Sequence, residues 1–184
     1  MRSGRWICCF AVFAWVSLLL SCTIRVTGSH RFPEAVRVHD VGPYLQDPEQ
    51  CGPFALAALL RYVGMEADPE LLAERLYSPG AGGVLTMDLF LEASRRGLEA
   101  RQFSGSEDIL VKELTEYNPV IVLLKYPRLR SAVGHFILVT GYSSDPRGFF
   151  VLWGDGKLSW VKLDQFHQLW SRAGFWMLTV HREA

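Results

Sequence analysis

The sequence predicts an α+β domain in which N-terminal helices pack on a mostly antiparallel β-sheet. Three observations carry that expectation. From Phe54 to Tyr117 most apolar residues recur at helical spacing, whereas from Val120 onward they fall in short runs rich in Val, Ile, Phe and Trp. The later runs are separated by short turn sequences, Ser143–Gly148 and Asp155-Gly156, which join neighbouring strands as hairpins and so make them antiparallel. The chain has 184 residues, 49% of them hydrophobic, enough for one domain with a sizeable core. Helices first and strands afterwards give an α+β architecture.

The first stretch of chain is not expected to belong to that domain. Arg2 and Arg5 precede an apolar run, Trp6 to Leu20, that carries no charge. Its length suits a signal-peptide core and falls short of the roughly 20 apolar residues that span a bilayer. The run ends Leu19-Leu20-Ser21-Cys22, which resembles the lipobox of bacterial lipoproteins. The resemblance implies a signal peptide over residues 1–21, cleavage before Cys22, and lipidation of Cys22. An ordinary signal peptide or an uncleaved anchor is the alternative. Thr23, not Asp, follows the cysteine, and in Gram-negative lipoproteins that implies sorting to the outer membrane. The expected location is the bacterial cell envelope, lipid-anchored, on the periplasmic side of the outer membrane in a Gram-negative cell.

Residues 22–43 read as a lipid-anchored tether, with Gly28, Pro33, Gly42 and Pro43 and no periodicity. The folded domain is expected over residues 44–184. It opens on the turn-rich Gln46-Asp-Pro-Glu-Gln50-Cys51-Gly52-Pro53, followed by Phe54–Val63, a helix apolar nearly all round and therefore buried on most faces. Pro53 suits its first position and Gly64 its stop. Asp68-Pro69-Glu70 opens a second helix to about Tyr77, and Ser78–Gly83 is a Gly/Pro loop. Thr86 is expected to cap a third helix that Gly97 ends. Glu99–Phe103 reads as a strand, and Ser106 starts a fourth helix to about Tyr117. Val120–Lys125, His135–Tyr142, Phe149–Trp153, Leu158–Leu163 and Phe175–His181 are the later strands, with a short helix at Gln165–Trp170.

Charge and histidine spacing exclude two classes. Lys+Arg and Asp+Glu each number 19, a formal charge of zero. Without a basic excess or stripe, no nucleic-acid partner is expected. The five histidines show no paired spacing of metal-ligand type, so no metal and no other cofactor is expected.

Cysteine usage singles out one residue. If the signal peptide is cleaved and Cys22 carries lipid, Cys8 and Cys9 are lost and Cys51 is the one free thiol of an exported protein. It belongs to no disulfide framework. A solitary thiol in an oxidising compartment is a hazard unless it is buried or used. Cys51 stands at a helix start, where the helix dipole favours an anion and so a thiolate nucleophile. Burial as a small core residue is the alternative. A base would be a histidine elsewhere in the fold. His135 opens the strand Gly134-His-Phe-Ile-Leu-Val-Thr-Gly-Tyr142, where it can face a helix N-terminus across the core; a core histidine bonded to a carbonyl is the other reading.

Gln46…Gln50-Cys51-Gly52-Pro53-Phe-Ala-Leu-Ala, taken with Gly134-His135-Phe-Ile-Leu-Val-Thr-Gly141-Tyr142, resembles the peptidase C39 family of papain-like cysteine peptidases. The resemblance covers roughly Val41 to His181. It implies a papain-like fold and a glutamine ahead of the cysteine that completes the oxyanion hole. Gln46 fits by spacing, with Gln50 as the alternative. The family also places an Asp on the strand after the histidine strand, to hold the imidazole. Here Asp155 comes one or two residues late and reads equally as a hairpin-turn residue; a backbone carbonyl or Asn118 is the alternative.

The resemblance implies a catalytic set of Cys51, His135 and Asp155, with Gln46 in the oxyanion hole; the lipobox signature implies Cys22 as membrane anchor. The implied reaction is hydrolysis of peptide bonds in exported peptides or proteins, without a cofactor. A non-catalytic peptide-binding module on the same fold is the alternative. A structural lipoprotein that binds a partner through its late tryptophans is the third.

Overall fold

A computed structural model of the chain describes residues 32, 34–47, 49–127 and 133–182. The expected signal peptide and the lipidated Cys22 lie outside the described residues, as does much of the tether. Among the described residues no helix is long and apolar enough to cross a membrane.

The lead-in contains one element that the sequence does not announce. Strand β1, Ala35–Arg37, pairs antiparallel with the strand that carries His135, setting Val36 opposite Tyr142. A Cβ at position 141 would run into the Val36 carbonyl, so glycine lets the two backbones close.

Helix α1, Cys51–Tyr62, begins earlier than its apolar run, with Cys51 as its first residue. Pro53 moves to the third position, which is tolerated because the first-turn N–H groups lack intrahelical acceptors. Cys51–Ala57, Leu59 and Leu60 are buried, as a helix apolar nearly all round requires. Helix α2, Pro69–Leu76, is capped by Asp68, whose Oδ1 accepts the Glu70 and Leu71 amides. The Gly/Pro loop after it is a small hairpin of β2 (Tyr77–Ser78) and β3 (Gly83–Val84). Helix α3, Thr86–Arg95, departs from expectation: Leu85 occupies the cap position, no side chain caps it, and Thr86 is already helical. Glu92 on α3, almost fully buried, accepts from Arg75 of α2 at 2.7 Å and from Arg96 at 2.8 Å, tying the two helices together.

Strand β4, Leu98–Ser104, leads to helix α4, Glu107–Thr115, which Ser106 caps as expected. Then follow β5 (Val120–Tyr126), β6 (Val133–Ser144), β7 (Arg147–Leu152), β8 (Leu158–Lys162), helix α5 (Leu163–Ser171) and β9 (Trp176–Arg182). They form a seven-stranded sheet in the order β4-β9-β5-β6-β7-β8, with β1 added to β6 and every pairing antiparallel.

Side-chain alternation along β6 shows that both faces of the sheet are covered. Phe136 and Leu138 enter the core shared with α1, α2 and α3. Ile137 and Val139 enter the core shared with Leu110 and Leu114 of α4 and Phe166 and Trp170 of α5. Strands buried on both faces read as unbroken apolar runs, which is why β5 shows no polar alternation. The start of α1 is thereby pressed against the start of β6, and that contact positions the site.

Candidate active site

Cys51 is fixed by its helix and by the neighbouring strand. The residue is 8% exposed, and the Phe136 amide of β6 donates to its Sγ at 3.4 Å. Burial pushes the thiol above its ordinary value, because an anion there would lose its hydration. The amides of Phe136, Gly52 and Cys51 itself pull it back down, and burial wins. In the resting state Cys51 is a neutral thiol surrounded by N–H groups that favour its anion.

His135 directly precedes the residue whose amide holds the sulfur. Its Nε2 lies 3.0 Å from the Trp153 carbonyl oxygen. A carbonyl only accepts, so Nε2 carries the hydrogen and Nδ1 keeps its lone pair; the tautomer is assigned from that bond. The Trp153 indole stacks on the ring, with centroids 6.0 Å apart and planes 23° from parallel. Burial draws the imidazole below its ordinary value, opposed by the Trp153 carbonyl. His135 is therefore neutral at neutral pH, with one nitrogen tied down and the other available.

The structure does not bring Asp155 to this ring. Three steps beyond the Leu138–Leu152 pair, continued register would set His135 opposite residue 155. The ladder stops at Leu152, and Gly154, at φ +87°, turns the chain away. Asp155 is exposed, forms a bridge with Leu45, and its Oδ1 accepts the Lys157 amide at 3.2 Å. Asn118 stands at the other end of β5, where its amide donates to Glu113 at 3.2 Å. The group that engages His135 is a backbone carbonyl, one of the alternatives left open above.

Gln46 lies on an extended segment pinned to the β7–β8 turn. Its amide donates to the Gly154 carbonyl at 3.1 Å, and the Gly156 amide donates to the Tyr44 carbonyl at 2.9 Å. The Gln46 side chain lies against the Cα of Gly154, where any Cβ would collide with it. Its Oε1 is buried without a hydrogen-bond partner. Gln50 instead lines a cleft of about 660 Å³ beside the helix start, together with Glu49, Pro53, Glu74 and Tyr77.

The start of α1, the start of β6 and the β7–β8 turn thus meet at one place. Sequence reasoning missed the Phe136 amide and did not single out Trp153 as the source of the carbonyl, because main-chain groups carry no residue-type signal. It also passed over Gly154, which the Gly-Asp-Gly run could have flagged as a backbone position needing positive φ.

Comparison with known proteins adds three findings. Residues 44–184 match the model of the peptidase C39 family. No curated protein matches the chain. Solved structures do: that of a C39-like peptidase from Bacillus anthracis is 18% identical, covers 82% of this chain and 99% of its own, with a TM-score of 0.66. The peptidase domain of Streptococcus ComA, described as a bi-functional ABC transporter involved in quorum sensing, is also 18% identical. It covers 78% of this chain and 99% of its own at a TM-score of 0.61. A double-glycine-motif protease from a transporter, in complex with its leader peptide, is 17% identical, covering 80% and 94% at 0.63. These likenesses establish the papain-like fold of C39 peptidases.

Proposed function

The chain belongs to the peptidase C39 family, and from that membership we propose that it is a cysteine peptidase acting on exported peptides or proteins. Cys51 is the nucleophile and His135 the general base. One observation carries the reading: the residue after His135 donates its amide to the Cys51 sulfur, while His135 is tied at Nε2 and keeps Nδ1 free to take a proton.

In the proposed reaction His135 Nδ1 accepts the thiol proton as Sγ attacks the peptide carbonyl. The developing oxyanion accepts from the Cys51 amide and from the Gln46 side-chain amide. Collapse breaks the C–N bond, and His135 returns its proton to the leaving amine. Water, activated by the same imidazole, then hydrolyses the thioester and frees Sγ. The Trp153 carbonyl orients the imidazole, in the role a carboxylate plays elsewhere. Both partners start neutral, so the proton moves during attack rather than before it. No cofactor takes part.

The leader peptide bound to one similar structure supports a peptide as substrate class. The Leu19-Leu20-Ser21-Cys22 signature supports lipid anchoring at Cys22 and a place in the bacterial cell envelope. A second reading, a peptide-binding module without turnover, draws on Asp155 facing away from His135.

The test combines a mixture of random-sequence peptides with a peptidyl acyloxymethyl ketone that captures activated cysteines. The reading predicts cleavage products and covalent labelling of Cys51, both lost at least about 100-fold in Cys51→Ala and His135→Ala. Binding without products or labelling supports the module and sinks the enzyme.

A further inference from the structure

The late tryptophans are not placed alike. The indole N–H of Trp170 donates to the Trp176 carbonyl at 2.9 Å and that of Trp176 to Gln102 at 3.1 Å, while Trp160 packs on Phe32. These three serve the fold. Trp153 instead lays its indole on His135, with centroids 6.0 Å apart, and lies 6.5 Å from the Tyr126 ring at 48°.

Tyr126 reaches this place by register. Leu124 of β5 stands opposite His135 of β6, and opposed residues share a face of the sheet. Tyr126, two residues beyond Leu124, faces the same way. His135, Trp153 and Tyr126 are each half-buried, and Gly134 beside them is exposed. Burial pushes the Tyr126 phenol up to about 12, so it is uncharged at neutral pH. The base is thus flanked by an uncharged aromatic ledge that is partly open to solvent.

The proposed reaction fixes which part of a substrate meets that ledge. The acyl half becomes bonded to Cys51 Sγ, with its oxyanion toward Gln46. The leaving amine takes its proton from His135 Nδ1, so the residue carrying it must come within hydrogen-bond reach of the imidazole, about 3 Å. Beside the imidazole stands the indole, and beside the indole the phenol.

We propose that Trp153 and Tyr126 form the subsite for the first residue after the scissile bond and select an aromatic side chain there. This deepens the reading above and rests on Cys51 and His135 being the catalytic pair. A ring set against half-exposed rings buries a large apolar area and adds a tilted or offset pair. A carboxylate would lose hydration against ring faces that are themselves negative.

The experiment uses the full-length chain in detergent and a mixture of random-sequence peptides. New N-termini are identified by mass spectrometry for wild type, Tyr126→Ala and Trp153→Leu, which keeps the carbonyl that holds His135, with melting curves for each. In wild type, Phe, Tyr and Trp are expected at the new N-terminus about three- to tenfold more often than Ala, the size of one aromatic pair. Each folded variant should bring that ratio below about twofold. The ratio is taken within one protein, so a slower His135 alone does not move it. Wild-type cleavage without aromatic enrichment overturns the subsite, whatever the variants do. So does enrichment of Lys or Arg instead, which marks cation–π recognition, or aromatic enrichment that survives in a folded variant of each residue. In all three cases the peptidase reading stands. If wild type yields no new N-termini, that reading fails and the subsite with it.

Discussion

The imidazole of His135 and the backbone of Trp153 are joined by a hydrogen bond of 3.0 Å at Nε2, and the indole of the same residue stacks on the ring. Trp153 therefore orients His135 twice, through its carbonyl and through its side chain. A carbonyl dipole fixes the tautomer as a carboxylate would, but brings no full negative charge to stabilise an imidazolium. Burial outweighs the carbonyl's pull toward the charged form, and the ring stays neutral at rest.

The sign of the pH dependence follows. A lowered histidine pKa keeps the base neutral below its ordinary 6.5, so the acid limb of kcat/KM, or of inactivation by the acyloxymethyl ketone, should fall below pH 6.5. The unfolded chain takes up a proton there that folded His135 resists, so stability should decline as pH drops through 6.5 toward the folded value. A rate profile with its acid limb at or above 6.5 contradicts the neutral resting pair.

Asp155 should be dispensable for turnover. It is exposed and bonded to the Lys157 amide within its own turn. Asp155→Ala is expected to keep kcat/KM within about threefold and to cost no more than about 1 kcal/mol, in line with one local side-chain hydrogen bond. A hundredfold loss with unchanged Tm would show that Asp155 reaches His135 during the reaction.

Much of the fold was legible because its signals were local. Asp68 and Ser106 cap helices, Gly64 and Gly97 stop them, and the period change at Val120 marks the sheet. Cys51 and His135 were legible as candidates because rare residue types stood at special positions. What escaped was set by backbone geometry. β1 is three residues long and exists through its pairing with β6. The partner of His135 is a carbonyl that any residue at 153 would offer. Asp155 stayed open between partner of His135 and turn residue, because strand register alone extends to it and the positive φ of Gly154, which turns the chain first, leaves no residue-type signal of where Asp155 points.

The α2–α3 clamp yields a stability prediction. Glu92 is 3% exposed and accepts from both Arg75 and Arg96. Removing a buried carboxylate leaves two guanidiniums behind, although Arg75, at 55% exposure, can return to water. Glu92→Ala is therefore expected to cost about 2 kcal/mol, below the 3–5 typical of a fully buried pair, and to lower Tm by roughly 4–8 °C. Glu99→Ala, which breaks an exposed pair with Arg101, should change stability by less than about 0.5 kcal/mol. Equal effects of the two in thermal melts would show that burial does not set the difference.

Gln46 and Gly154 should behave as one unit. Gln46→Ala removes the proposed oxyanion donor and is expected to lower kcat about 10²–10³-fold with little change in Tm, since its Oε1 is unpaired in the fold. Gly154→Ala reaches the same amide from behind. The new Cβ would occupy the space of the Gln46 side chain, and φ +87° is strained for any residue with a Cβ. It should lower kcat by about 10²-fold and also destabilise by about 1–3 kcal/mol. The double variant should then lose little more than Gln46→Ala alone, because two changes acting through one group are not additive. Multiplying losses in the double variant would mean that Gly154 serves the site by another route, through the turn that presents the Trp153 carbonyl to His135.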